Sequence, residues 1–153
     1  LPGTKCVLDT EGVELRLGTE AHPFLIKPNL AELEQTLGME LRTLRSIRDA
    51  ASIFLHKGVE HVVVSMGAMG AMYVGAALTL YAPAVKVEAR STVGAGDAMV
   101  GGLLMGLQQG NDMVQAFRCG VAAGAASVMT EGTQLIRAED FEKLLSQVKL
   151  QEV

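Results

Sequence analysis

The stretch Ser91-Thr92-Val93-Gly94-Ala95-Gly96-Asp97-Ala98-Met99-Val100-Gly101-Gly102 joins a small-residue turn to a carboxylate at the start of an apolar run. Small residues let backbone approach an anion closely. The amides of Gly94, Ala95 and Gly96 could all point at one oxyanion, and a helix starting there adds positive potential. The same potential favours a negatively charged group in the first turn, the place Asp97 takes. Amides on a transferring group and a carboxylate that accepts a hydroxyl proton are together the needs of phosphoryl transfer to an alcohol. The structural alternative makes Asp97 an ordinary first-turn acid and the glycines a means of tight packing. Gly101, Gly102 and Gly106 favour that alternative for their side of the helix. Two better-known phosphate loops are ruled out. A dinucleotide fingerprint needs a third glycine where Met99 stands, and a Walker loop needs Lys-Ser/Thr where Gly102-Leu103 follow Gly101.

Three further stretches carry candidate chemistry. In Lys27-Pro28-Asn29-Leu30-Ala31-Glu32, Asn29 and Glu32 have capping-box spacing. The functional reading sets Asn29 and Glu32 near a hydrated Mg²⁺, with Lys27 at a strand end to reach a phosphate. Ser65-Met66-Gly67-Ala68-Met69-Gly70 follows the clearest strand at its C-terminal end, where open α/β sheets place ligands; a hairpin or bulge turn is the plainer alternative. Gly120 to Ser127 is a small-residue helix, suited to helix packing or to walling an adenine pocket. His22, His56 and His61 have no ligand spacing, and the methionines read as core filler.

The elements that must hold these groups alternate. Strands are expected at Cys6-Val7-Leu8, Phe24-Leu25-Ile26 and 61–65, and a hairpin joins 71–74 to 78–81 around Gly75-Ala76. Leu44, Ile47, Ala51, Phe54 and Leu55 share one helical face, ended by Gly58 at C′. The second half is mainly helical. One helix is expected from Asp97 to Gln109, stopped by Gly110-Asn111, and a second from an Asp112 cap to about Met129. A third carries Phe141, Leu144, Leu145 and Val148 on one face. Apolar strands separated by helices predict a mainly parallel sheet covered on both faces, in one α/β domain over 1–153 with no second domain.

Composition narrows the classes of function. With 153 residues, 49% of them hydrophobic, the chain can bury a core. A net charge of −4 without a basic patch argues against nucleic-acid binding, and aromatics at 4% with no Trp argue against a base-stacking platform. No apolar run reaches the ~18 residues of a membrane span, since charge or glycine interrupts each one. Cys6 and Cys119 read as two reduced core thiols of a cytoplasmic protein. The chain opens on Leu1-Pro2-Gly3-Thr4, not on Met, as expected of a piece of a longer protein.

Together "KPNLAELE", "VVVSMGAMGAMYV", "STVGAGDAMVGG" and "VAAGAASVMTEGT", in that order, resemble the C-terminal half of the pfkB (ribokinase-like) carbohydrate kinases. The phosphofructokinase and tagatose-phosphate kinase branch is the most similar, because Ser91-Thr92-Val93 and Met99 replace the Asp-Thr-Thr and Phe of ribokinases. The resemblance implies a three-layer ribokinase-like fold lacking its N-terminal half and β-sheet lid. It implies ATP-dependent transfer to a phosphosugar, first fructose 1-phosphate, with fructose 6-phosphate and tagatose 6-phosphate next. Asp97 would be the base and Gly94, Ala95 and Gly96 the anion hole. Lys27, Asn29 and Ser65, Met66, Gly67, Ala68, Met69 and Gly70 would handle ATP phosphates. Glu32, through water, would position Mg²⁺, while Val121 and Ala125 would line the adenine pocket. Ser91, Val93, Ser127, Thr130 and Gly132 match a monovalent-cation (K⁺) site, with Thr130 where some relatives carry Asn. A homodimer in the full-length protein is also implied, and the isolated chain is expected to be inactive. The rival class is a non-catalytic nucleotide- or sugar-binding module on a kinase scaffold.

Overall fold

The computed structural model describes residues 3–110, 112–132 and 134–153, so Asn111 of the expected helix stop and Thr133 of the last motif lie outside the described residues. The chain divides into two compact units. One takes the residues up to Met66 with Ala71–Tyr81 and Gln151–Val153, and the other takes Gly67–Gly70 and Ala82–Leu150.

The first unit holds the sheet. Its strands are β1 (Val7–Leu8), β2 (Leu25–Ile26), β3 (His61–Ser65), β4 (Ala71–Gly75), β5 (Thr79–Ala82) and β6 (Gln151–Glu152), neighbours in that order. β1, β2 and β3 run parallel, with Val7 opposite Leu25 and Leu25 opposite His61. β3 pairs antiparallel with β4, and β5 with β6. The sheet is thus mixed and flanked by helices, with its antiparallel members gathered at the β4–β6 side. The hairpin forms where the sequence places it, closed by the Gly75 N–H donating to the Leu78 carbonyl at 2.9 Å. β6 was not legible, because Gln151-Glu152 has no apolar pattern and is defined only by its partner strand.

Three helices belong to this unit: α1 (Gly12–Thr19), α2 (Leu30–Leu37) and α3 (Leu44–His56). The expected face of α3 is the buried one, with Ile47, Ala51 and Phe54 joined by Ala50, and Leu44 and Leu55 partly covered. It meets Val62 and Val64 of β3 and Met72 and Val74 of β4 in one apolar cluster that also takes in Leu15, Ile26 and Leu33. Each such large side chain contributes about 1.5–3 kcal/mol by leaving water. Gly58 follows the α3 C-cap with φ +97°, the left-handed geometry that a C′ glycine serves.

The second unit is built on α4 (Ala95–Gln108), α5 (Met113–Val128) and α6 (Ala138–Leu145). The Asp112 side chain caps α5 by accepting from the Gln115 N–H at 3.0 Å. Close packing of α4 on α5 depends on missing side chains. A Cβ at Gly102 would stand 2.5 Å from the Cys119 carbonyl oxygen, and one at Gly106 would stand 2.7 Å from the Ala116 Cα. Gly101 does not share this role, since a Cβ there would meet nothing within 4 Å. Val148 lies beyond α6 yet is buried, and its carbonyl accepts from Arg118 Nη1 at 3.0 Å. Cys119 is a buried core thiol whose pKa burial pushes up, against a smaller opposing effect of Arg118. Cys6, expected in the core, is exposed beside the short strand β1. Among the described residues no helix is long and apolar enough to cross a membrane.

Candidate active site

The first unit gathers polar side chains at the C-terminal ends of its parallel strands. Lys27 follows β2 and is buried, with its Nζ 3.3 Å from Asp9 Oδ1 just past β1. The backbone enforces the pairing, because the Lys27 N–H donates to the Leu8 carbonyl at 3.2 Å. A buried ammonium needs such a counter-charge. Asp9 belongs to none of the motifs read in the sequence and was missed there. Two residues on, Asn29 bridges to Ser65 at the end of β3, and the Ser65 N–H donates to the Pro28 carbonyl at 3.1 Å. Asp9, Lys27, Asn29 and Ser65 are thereby brought to one sheet edge, where open α/β sheets bind ligands.

Asn29 and Glu32 form the capping box their spacing predicts. The Glu32 N–H donates to Asn29 Oδ1 at 2.8 Å, the Asn29 N–H to Glu32 Oε2 at 2.8 Å, and Asn29 Nδ2 to Glu32 Oε1 at 2.7 Å. Each Glu32 oxygen therefore accepts one hydrogen bond and keeps lone-pair capacity, since a carboxylate offers about four acceptor positions. Among the described residues no group of three His, Cys, Asp or Glu is placed to cage a metal. A hydrated Mg²⁺ suits this arrangement: it is commonly held by one or two carboxylates, its own waters and substrate phosphates.

In the second unit, Gly94 is the N-cap of α4 with φ +79°. A Cβ there would touch nothing, so backbone strain of about 1–2 kcal/mol, not crowding, is what selects glycine. The first intrahelical bond runs from the Ala98 N–H to the Gly94 carbonyl at 2.8 Å. The amides of Ala95, Gly96 and Asp97 therefore have no acceptor within the helix. Of the three expected anion-hole amides, that of Ala95 makes a long 3.4 Å bond to the Thr92 carbonyl. Asp97 is at N3 and exposed, and no hydrogen bond or ion pair among the described residues engages its carboxylate. That separates it from Glu32, an acid at the same helical position whose carboxylate is already bonded.

Asp97 opens on a cavity of about 640 Å³. Val93, Met105, Leu135, Ile136 and Phe141 give it apolar walls, and Gly94 and Gly101 give it bare backbone. Asp97, Ser127 and Gln134 are its polar groups, and among the described residues lining it there is no lysine or arginine. Leu135 and Ile136 carry no motif and were invisible in the sequence.

The candidate cation residues are held together by backbone. The Arg90 and Ser91 N–H groups donate to the Val128 carbonyl at 2.7 and 3.2 Å. The Val93 N–H donates to Ser91 Oγ at 3.2 Å. The Ser127 carbonyl accepts from both the N–H and Oγ1 of Thr130, at 3.1 and 2.8 Å. Both lone pairs of that carbonyl are engaged, which leaves Ser91, Val93 and Gly132 as the better carbonyl donors. Gly67–Met69 form a 3-10 turn with exposed residues, closed by the Gly70 N–H on the Gly67 carbonyl at 3.0 Å. A Cβ on Gly70 would stand 2.0 Å from the Ala82 carbonyl oxygen. Val121 and Ala125 lie on the face of α5 away from Ala123 and Ser127, and the cavity beside Asp97 does not include them.

Comparison with known proteins agrees with these features. Residues 4–140 match the pfkB family carbohydrate kinases. A 1-phosphofructokinase of Borreliella burgdorferi is 31% identical over 97% of this chain and 48% of its own length. The chain thus spans about half the length of the curated relatives it matches. A Staphylococcus aureus structure proposed to be a phosphofructokinase superposes with a TM-score of 0.92, at 30% identity, over 99% of this chain and 49% of its own. Phosphofructokinase-2 of Escherichia coli, solved in complex with potassium, does so with a TM-score of 0.89, at 33% identity, over 95% of this chain and 48% of its own. With its Gly-Ala-Gly-Asp turn, its Asn29–Glu32 box and a ribokinase-like fold, the chain belongs to the pfkB family of carbohydrate kinases.

Proposed function

We propose that the full-length protein transfers the γ-phosphoryl group of ATP to a hydroxyl of a ketohexose phosphate, first fructose 1-phosphate, giving fructose 1,6-bisphosphate. In this reading Asp97 accepts the hydroxyl proton as the acceptor oxygen bonds to phosphorus. The bond from phosphorus to the β–γ bridging oxygen breaks, and its electron pair leaves on ADP. The amides of Gly94, Ala95 and Gly96 stabilise the transferring group. Lys27, Asn29 and the Ser65–Gly70 turn meet the nucleotide phosphates, and Val121 and Ala125 pack on the adenine. Bound Mg²⁺ supplies neutralising charge on the phosphates, with Glu32 orienting its water. K⁺ takes carbonyl oxygens from Ser91, Val93 and Gly132, while Ser127 and Thr130 brace that turn. The full-length protein is read as a homodimer from the resemblance and as cytoplasmic from its two free thiols.

The observation that carries the reading is the Asp97 carboxylate, exposed and unengaged at the mouth of an apolar-walled cavity above the glycine cap of α4. The test is a substrate panel on the full-length gene product with MgATP: fructose 1-phosphate, fructose 6-phosphate and tagatose 6-phosphate. Asp97→Asn is expected to lower turnover by about 10²–10⁴ or more while sparing ATP binding. Turnover that survived this substitution would remove Asp97 as the base. ATP binding with no turnover of any acceptor by the unsubstituted protein would favour a binding module.

A further inference from the structure

Gly101 stands one turn beyond Asp97 on α4, about 6 Å along the axis, and lines the same cavity. Its φ is not in the left-handed region. Packing explains its neighbour Gly102, whose Cβ would strike the Cys119 carbonyl, but a Cβ at Gly101 would meet nothing within 4 Å. Neither strain nor contact within this chain calls for glycine there, although glycine within a helix costs about 0.5–1 kcal/mol relative to alanine. What the missing side chain leaves is open space in the cavity beside the Asp97 carboxylate.

Resting on the kinase reading above, we propose that Gly101 is a specificity-determining position that leaves room for the hydroxyl-bearing end of the acceptor sugar. The acceptor hydroxyl must come within about 2.6–3.2 Å of the base. The carbon that bears it then lies over the α4 surface next to Asp97, and a side chain at 101 pushes it away. Gly94 of the proposed anion hole lines the same cavity, so the reacting hydroxyl meets the base and the transferring phosphoryl on this side of α4.

The test compares the full-length protein with Gly101→Ala and Gly101→Val, measuring KM for the sugar phosphate, KM for ATP, kcat and the thermal midpoint. The expected result is an alanine variant that melts no lower than the unsubstituted protein. Its KM for the sugar phosphate rises at least tenfold, its KM for ATP is unchanged, and valine raises the sugar KM further. An unchanged sugar KM in both variants overturns the proposal, as does an alanine variant that melts lower and loses both substrates alike. Absence of turnover with every sugar phosphate in the unsubstituted protein removes the kinase reading itself, and this inference with it.

Discussion

Gly102 offers a sharp test of the α4–α5 packing, because local preference and tertiary contact predict opposite signs. Alanine is the better helix former, so Gly102→Ala alone would add about 0.5–1 kcal/mol to helix stability. The structure opposes this. The new methyl would lie 2.5 Å from the Cys119 carbonyl oxygen, 2.9 Å from its carbon and 2.8 Å from the Ala123 Cβ. Ordinary contact begins near 3.4 Å, so α4 and α5 must separate by most of an ångström. Two of those atoms are α5 backbone, and no rotamer change relieves them. The separation would loosen Leu103 and Phe117, which are buried in this unit. Overpacking of this kind costs about 1–3 kcal/mol, leaving a net loss of up to about 2.5 kcal/mol after the helix gain. The assay is the denaturant midpoint of the full-length protein, followed by far-UV circular dichroism and a second probe of tertiary structure. A Gly102→Ala midpoint at or above that of the unsubstituted protein would refute the packing argument.

Two further outcomes follow from the first unit. Burial lowers the pKa of His61, against a raising effect of Glu60 and with a small lowering effect of Lys5, while its Nδ1 lies 3.0 Å from Tyr73 Oη. The unfolded chain therefore binds a proton first as pH falls, so stability present above about 6.5 is lost on acidification towards the lower folded value. His61→Phe should flatten the change in melting temperature between pH 7 and 5, and an unaltered slope would count against His61 as its source. At the sheet edge, Asp9→Asn leaves the buried Lys27 ammonium without its counter-charge. Breaking a fully buried pair costs about 3–5 kcal/mol; because Asp9 is partly exposed, a smaller loss of about 1–3 kcal/mol is expected by denaturation. Replacing both residues, Asp9→Asn with Lys27→Met, should recover part of it, and a double variant no better than the single would show that the pair is not coupled.

Much of this protein could be read from neighbours in sequence, because the forces involved act over one or two turns. The α3 face, the Asn29–Glu32 box, the Asp112 cap and the glycine after α3 depend on residues three or four positions apart. The Gly-Ala-Gly-Asp turn likewise announces a helix start with its carboxylate in the first turn. What tertiary structure decided are the relations that no spacing encodes. It paired Lys27 with Asp9, gave the Ser127 carbonyl to Thr130, and made a strand of Gln151-Glu152 by laying it beside β5. It also divided two adjacent glycines. Both line the cavity of Asp97, but a helix turns about 100° per residue, so a methyl at Gly102 would be driven into α5, while one at Gly101 would meet nothing within 4 Å. Sequence placed both in one small-residue run; only the position of a second helix against one side told packing from access to the base.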